Sequence, residues 1–169
     1  MNSDPEEEAE LPDEIGQAAS EGDFERVKAW LAGGSASDPR SINARDHTDW
    51  TLLHWTVVSA GNDITLAHIE FARYLISQGA RVNATAERFD GSTALHFACS
   101  GAGETTAAMV SMLVAAGAAV NAETHGGPWQ RVRTPLFSIV ELSASTIDVV
   151  TVLLRAGASL DFFKHRIGE

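Results

Sequence analysis

Apolar positions along the chain recur at helical spacing in short blocks, and each block ends at a glycine. Ile69, Ala72, Leu75 and Ile76 form one such stripe, Met109, Met112, Leu113 and Val114 a second, and Val149, Val150, Leu153 and Leu154 a third. Side chains three and four apart lie on one face of a helix, so each block predicts a helix with one buried face. Gly79, Gly117 and Gly157 follow at once, where a helix commonly ends in the left-handed region that glycine enters without steric cost. A shorter helix is predicted ahead of each stripe. Thr51, Thr93 and Thr134 suit its N-cap, with Pro135 ideal one position later, and Leu136, Ile139 and Val140 mark its buried face in the last unit. Ile15, Ala18 and Ala19, then a turn at Gly22 and Asp23, then Phe24, Val27, Trp30 and Leu31 ending at Gly33 and Gly34, make a first pair of the same kind.

These landmarks repeat in phase. The string Gly79-Ala80-Arg81-Val82-Asn83 returns as Gly117-Ala118-Ala119-Val120-Asn121 and Gly157-Ala158-Ser159-Leu160-Asp161, at spacings of 38 and 40. Thr51-Leu52-Leu53-His54, Thr93-Ala94-Leu95-His96 and Thr134-Pro135-Leu136-Phe137 are spaced by 42 and 41. Four helix pairs result, none of which buries its apolar face alone, so neighbours must stack.

Thr93-Ala94-Leu95-His96-Phe97-Ala98 resembles the Thr-Pro-Leu-His-x-Ala signature of ankyrin repeats, and the Gly-Ala-x-Val-Asn endings, with Asp90-Gly91 ahead of Thr93, resemble that family's turn and hairpin elements. His68-Ile69-Glu70-Phe71-Ala72 resembles the start of its second helix. The resemblance implies an all-α ankyrin solenoid over residues 13–163, in units 13–45, 46–84, 85–122 and 123–163, with an acidic tail at 1–12 and a short tail at 164–169. The units exceed the family period of about 33, and the surplus falls at 35–41, 61–67, 85–88, 101–105 and 123–129. Phe137 replaces the family's histidine in the last unit, which reads as a C-terminal cap.

Charge sharpens the division of the chain. Of 23 acidic residues, ten lie in residues 1–25, which contain no Lys or Arg; the other 13 face all 12 basic residues, so the remainder is nearly neutral within a net charge of −11. The first ten residues have too little apolar surface to offset their ordering entropy and read as disordered. No basic stripe emerges from the ten arginines and two lysines, so nucleic acid is not an expected partner. No apolar run approaches the roughly 20 residues that span a bilayer, and no membrane association is expected. The single cysteine, Cys99, suits a reducing compartment, so an intracellular, cytoplasmic or nuclear, location is expected.

Candidate chemistry is sparse. Cys99 follows His96 by three residues on one helix, which sketches a thiol enzyme, but no third orienting group is identifiable. The family resemblance makes His54 and His96 structural, bonding backbone between adjacent units, and places Cys99 at a small buried position. Residues 101–104 are glycine-rich, yet they follow a helix and lack the lysine of a phosphate loop. His47, His125 and His165 share no metal-ligand spacing. No catalytic residue, cofactor or metal is expected.

The resemblance implies that partners are met by the hairpin tips and the exposed side of the first helices, a concave face. Carried over by alignment, that face holds His47, Asp49 and Trp50, then Phe89, Asp90 and Ser92, then Trp129, Gln130, Arg131 and Arg133 on the three hairpins, with Val58, Ser59, Ser100 and Glu141 along the helices. Trp50 and Arg131 are expected to be exposed contact residues, since Trp and Arg are enriched in binding hot spots. Trp30 and Trp55 stand where the family has leucine and are expected in the core. The expected function is a non-catalytic protein-interaction module, an adaptor or a regulator or inhibitor of another protein, monomeric on its own; a structural subunit of a larger assembly is the alternative.

Overall fold

The structure, a computed structural model, describes residues 10–34, 40–58, 64–101, 105–125, 132–140 and 147–160. Four helix pairs occupy them: α1 (Asp13–Glu21) with α2 (Phe24–Ala32), α3 (Leu52–Val57) with α4 (Leu66–Ser77), α5 (Ala94–Cys99) with α6 (Thr106–Ala115), and α7 (Pro135–Val140) with α8 (Ile147–Arg155). The first helix of each pair packs on the first helix of the next, α1 on α3, α3 on α5 and α5 on α7, while α4 packs on α6 and α6 on α8. The result is an all-α repeat fold of two stacked rows. Among the described residues no helix is long and apolar enough to cross a membrane.

The predicted stops occur where the sequence puts them. Gly79, Gly117 and Gly157 have φ of 96°, 92° and 89°. The next N–H, of Ala80, Ala118 and Ala158, turns back to the carbonyl of Leu75, Leu113 and Leu153 at 2.9, 3.0 and 2.9 Å, closing the last helical turn. In the first pair the left-handed residue is Gly22 instead, φ 86°, between α1 and α2.

Three threonine N-caps, Thr51, Thr65 and Thr93, are shared with a histidine three residues on. The Thr51 N–H donates to His54 Nδ1 at 3.1 Å and the Thr93 N–H to His96 Nδ1 at 3.1 Å. Thr65 and His68 form the same capping box at the start of α4. In α7 Phe137 has no ring nitrogen to contribute, and only the threonine half remains, with Phe137 N–H donating to Thr134 Oγ1 at 3.4 Å.

Beyond the helix ends, three asparagines tie the units together. Asn43, Asn83 and Asn121 each donate through Nδ2 to the carbonyl of the next unit's glycine, Gly79, Gly117 and Gly157, at 3.2, 3.0 and 3.0 Å. Each Oδ1 accepts the N–H of Arg81, Ala119 or Ser159 at 2.8 Å.

The core follows the stripes. Leu53, Leu95, Met109, Leu113, Leu136 and Leu153 belong to one buried cluster, and Leu11, Ile15, Val27, Leu52, Phe71 and Leu75 to a second. Leu11 lies within the stretch assigned to the acidic tail; it is buried, and its N–H donates to the Arg45 carbonyl at 2.8 Å. Leu154, expected on the buried face of α8, is 43% exposed. Among the described residues no helix pair follows α8 to cover that side.

Candidate protein-binding site

Asp46 organises the first hairpin. Its carboxylate is buried, and Oδ1 accepts from the Thr48 N–H, the Thr48 hydroxyl and the Trp50 N–H at 2.8, 2.7 and 2.9 Å. Oδ2 accepts from Trp55 Nε1 at 2.7 Å. Four donors on one carboxylate compensate its burial. They also fix the hairpin backbone against the indole of α3. The Trp55 ring then lies close against α1 because Gly16 leaves it room; a methyl group at Gly16 would fall 2.6 Å from Trp55 Nε1.

Trp50 corrects the sequence reading. It was expected to be exposed, yet it is only 8% exposed, packed against Trp55, Phe97 and Phe89 at ring-centroid distances of 5.0, 4.8 and 5.1 Å. The physical reason is that its N–H is held by Asp46 and its ring fills the space between adjacent hairpins. Its Nε1 has no hydrogen-bond partner among the described residues. Phe89, on the 3-10 turn Glu87–Phe89 between β1 (Thr85–Ala86) and β2 (Ser92–Thr93), is the aromatic that reaches solvent, at 41% exposure. Trp55, expected in the core, is half-buried.

These groups border an open hollow of about 440 Å³, lined by Asp13, Gln17 and Ser20 from α1, His47, Thr48 and Trp50 from the first hairpin, Trp55 from α3 and Phe89 from the second hairpin. At its rim the His47 Nδ1 and an Asp13 oxygen are 2.7 Å apart, both side chains well exposed. A second hollow of about 380 Å³, bounded by residues 10–14 and His47, adjoins it through Asp13 and His47.

The remaining predicted contacts scatter. Asp49 sits in the left-handed region, φ 71°, which aspartate tolerates better than most residues. Its carboxylate pairs with Arg45 at 2.9 Å and accepts the Glu87 N–H at 2.7 Å, so it joins two hairpins. Asp90, φ 57°, lies 3.8 Å from Arg133. Ser92, expected on the contact face, is buried in the β1–β2 ladder opposite Ala86, which corrects that expectation. Val58 is half-buried against the core, and Ser100 is exposed with its hydroxyl donating to the His96 carbonyl at 3.1 Å. Ser59, Trp129, Gln130, Arg131 and Glu141 lie outside the described residues.

Among the described residues the histidines and the cysteine do not assemble into a reactive centre. An Nδ1 that accepts a backbone N–H is unprotonated, so each capping ring carries its proton on Nε2 when neutral. His96 Nε2 is 3.2 Å from the Arg133 carbonyl and His68 Nε2 3.3 Å from the Ser20 carbonyl, both across unit boundaries. His54 Nε2 makes no hydrogen bond of ordinary geometry, although the nearby backbone of Ala84 and Ser92 favours the charged ring slightly. Burial dominates, helped by the Arg45 charge, and pushes His54 down to about 4. Burial also holds His68 and His96 below the usual histidine value. Cys99 is buried and its thiol is pushed up to about 12 by desolvation, the opposite of an activated nucleophile. Among the described residues no three His, Cys, Asp or Glu side chains cluster to hold a metal ion.

The family described as ankyrin repeats, in three copies, matches residues 15–124. The chain belongs to the ankyrin-repeat family. A search of curated proteins finds no match to it. The matched region contains both ankyrin hairpins that build the cavity, and ends ahead of α7. Of the residues that build the cavity, sequence reasoning nominated His47, Trp50 and Phe89 as contacts and missed Asp13, Gln17, Ser20, Thr48 and Trp55. The α1 residues carry no ankyrin signature, and Trp55 followed the leucine of the repeat pattern into the expected core.

Proposed function

We propose that this ankyrin-repeat chain is a non-catalytic adaptor or regulator that binds one partner protein through its hairpin tips and first helices, acting as a monomer inside the cell. Ankyrin repeats generally mediate protein–protein interaction. The observation that carries the proposal here is the largely apolar hollow between α1, α3 and the first two hairpins, with exposed Phe89 on its edge. A surface that presents an aromatic beside a hollow, on a frame held rigid by buried caps and ladders, is preorganised for a protein partner. The buried state of Cys99 gives a thiol-enzyme reading no support.

Affinity capture from the source cells tests this with the wild type, Phe89→Arg and Ser100→Arg on the proposed face, and Arg73→Glu on the exposed side of α4. Proteins lost by the two face variants and kept by Arg73→Glu are the expected outcome. Capture that only Arg73→Glu disturbs places the working surface on the second helices and ends the proposal.

A further inference from the structure

We infer that the groove running from residues 10–14 to Phe89 receives an extended basic segment of the partner, with one bulky apolar side chain in the 440 Å³ cavity and Lys or Arg beside the acidic lip. This rests on the reading of the hairpin and first-helix face as a protein-binding surface, and specifies what it binds.

The apolar anchor follows from how the walls are satisfied. Thr48 and the Trp55 indole N–H already donate to Asp46, the Ser20 hydroxyl donates to the Gln17 carbonyl at 2.9 Å, and Gln17 Nε2 donates to Glu21 at 2.7 Å. Apart from the buried Trp50 Nε1, which has no partner among the described residues, these polar groups of the wall have partners already, and they stand among the rings of Trp50, Trp55 and Phe89. Such a site rewards apolar area and offers little to a polar group that must lose its water. The volume holds one large side chain together with part of its backbone, and is far too small for a domain surface.

The basic flank follows from charge. Glu10, Asp13 and Glu14 are exposed along the lip, and the chain from residue 10 to residue 25 contains no Lys or Arg. Among the described residues that line the two hollows, His47 is the one basic-type side chain, already against Asp13. An anionic partner such as nucleic acid or a phosphorylated segment meets like charge there, whereas Lys or Arg gains from all three carboxylates and from the aromatic faces. Because the two hollows share Asp13 and His47, the shape is an open channel, which an extended chain fills and a compact ligand does not.

Three end-blocked synthetic peptides test the inference against the full chain by calorimetric titration: one with a central leucine flanked by arginines, one with alanine at the centre, and one with glutamates in place of the arginines. The leucine–arginine peptide is expected to bind about tenfold or more tightly than either of the others, with affinity falling as salt rises. Gln17→Arg, an exposed change on the α1 wall, is expected to weaken it by a similar factor without moving the melting temperature. Equal binding of the three peptides, no binding of the first, or unchanged affinity in Gln17→Arg overturns the inference. The peptides report on this groove alone, while loss of a captured partner through Ser100→Arg but not through Gln17→Arg leaves the broader reading standing and removes the groove from it.

Discussion

The two ends of the helix pairs are stitched in opposite ways. Past the second helices, Asn43, Asn83 and Asn121 make the same pair of bonds at three successive junctions, with distances that agree within 0.2 Å. At the hairpins the first and third units share one pair of 2.9 Å bonds, Asp46 N–H to the Trp50 carbonyl with its return to Asp46 Oδ1 and Thr124 N–H to the Arg133 carbonyl with its return to Thr124 Oγ1, but the groups gathered around each described hairpin differ. The first is gathered by one buried carboxylate, Asp46, the second closes β1 on β2 around a 3-10 turn, and the third joins Thr124 to Arg133 through two bonds of 2.9 Å. Uniform bonds demand uniform residues and build a scaffold; individual bonds shape an individual surface. Function on a repeat frame is expected where the frame stops repeating.

The largest test of that contrast removes the centre of the individual end. Trp50→Ala is expected to cost roughly 3 to 5 kcal/mol in a urea titration, because a buried aromatic in contact with Trp55, Phe89 and Phe97 leaves a cavity. Trp50→Phe is expected to cost much less, since the indole N–H it discards has no acceptor among the described residues. A near-zero effect of Trp50→Ala returns Trp50 to the surface and makes the tips interchangeable after all.

A second test uses pH and strikes the helix caps. His54 is depressed from 6.5 to about 4, so the unfolded chain binds more protons than the folded one between those values. Stability therefore holds above pH 6.5 and is lost as pH falls toward 4. At pH 5 the loss from His54 is about 2 kcal/mol, with His68 and His96 adding in the same direction. Arg45 opposes the charged ring and Asp49 favours it, so Asp49→Asn is expected to lower the ring further and deepen the loss on acidification. Stability that rises from pH 7 to pH 5 contradicts the neutral caps.

The same contrast explains what could be read before the structure. The glycine stops, the threonine N-caps and the Val-Asn endings recur at nearly constant distances, because each copy must meet a similar neighbour, and so they were legible as a pattern, whereas the histidine half of each cap was not. Trp50 was misplaced because its burial depends on Asp46 holding its backbone and on Phe89 and Phe97 arriving from the next unit, none of which is written at Trp50 itself. Asp13, Gln17 and Ser20 were missed for a related reason. They belong to the first pair, where no Thr-x-x-His landmark fixes the register, and they reach the cavity only because Gly16 lets Trp55 lie against α1. Asn43 escaped notice since Ser41-Ile42-Asn43 lacks the adjoining glycine that marks the later copies.

The smallest expected effect probes the uniform end. Asn83→Ala removes one donor to the Gly117 carbonyl and one acceptor from the Ala119 N–H. Asn83 is exposed, so water replaces both partners in part, and each bond contributes only about 0.5 to 1.5 kcal/mol net. A loss of about 1 to 2 kcal/mol is expected, and the same from Asn121→Ala, whose two bonds to Gly157 and Ser159 are the same length. Asn83→Asp keeps the acceptor for Ala119 but turns a carboxylate toward the Gly117 carbonyl, so it is expected to be no better than alanine. Equality of the two alanine variants in parallel urea titrations is the discriminating result, for a repeated scaffold predicts it from geometry alone. A difference of more than about 1 kcal/mol between them, beyond the few tenths that denatured-state effects introduce, means that the asparagine edge is as individual as the tips.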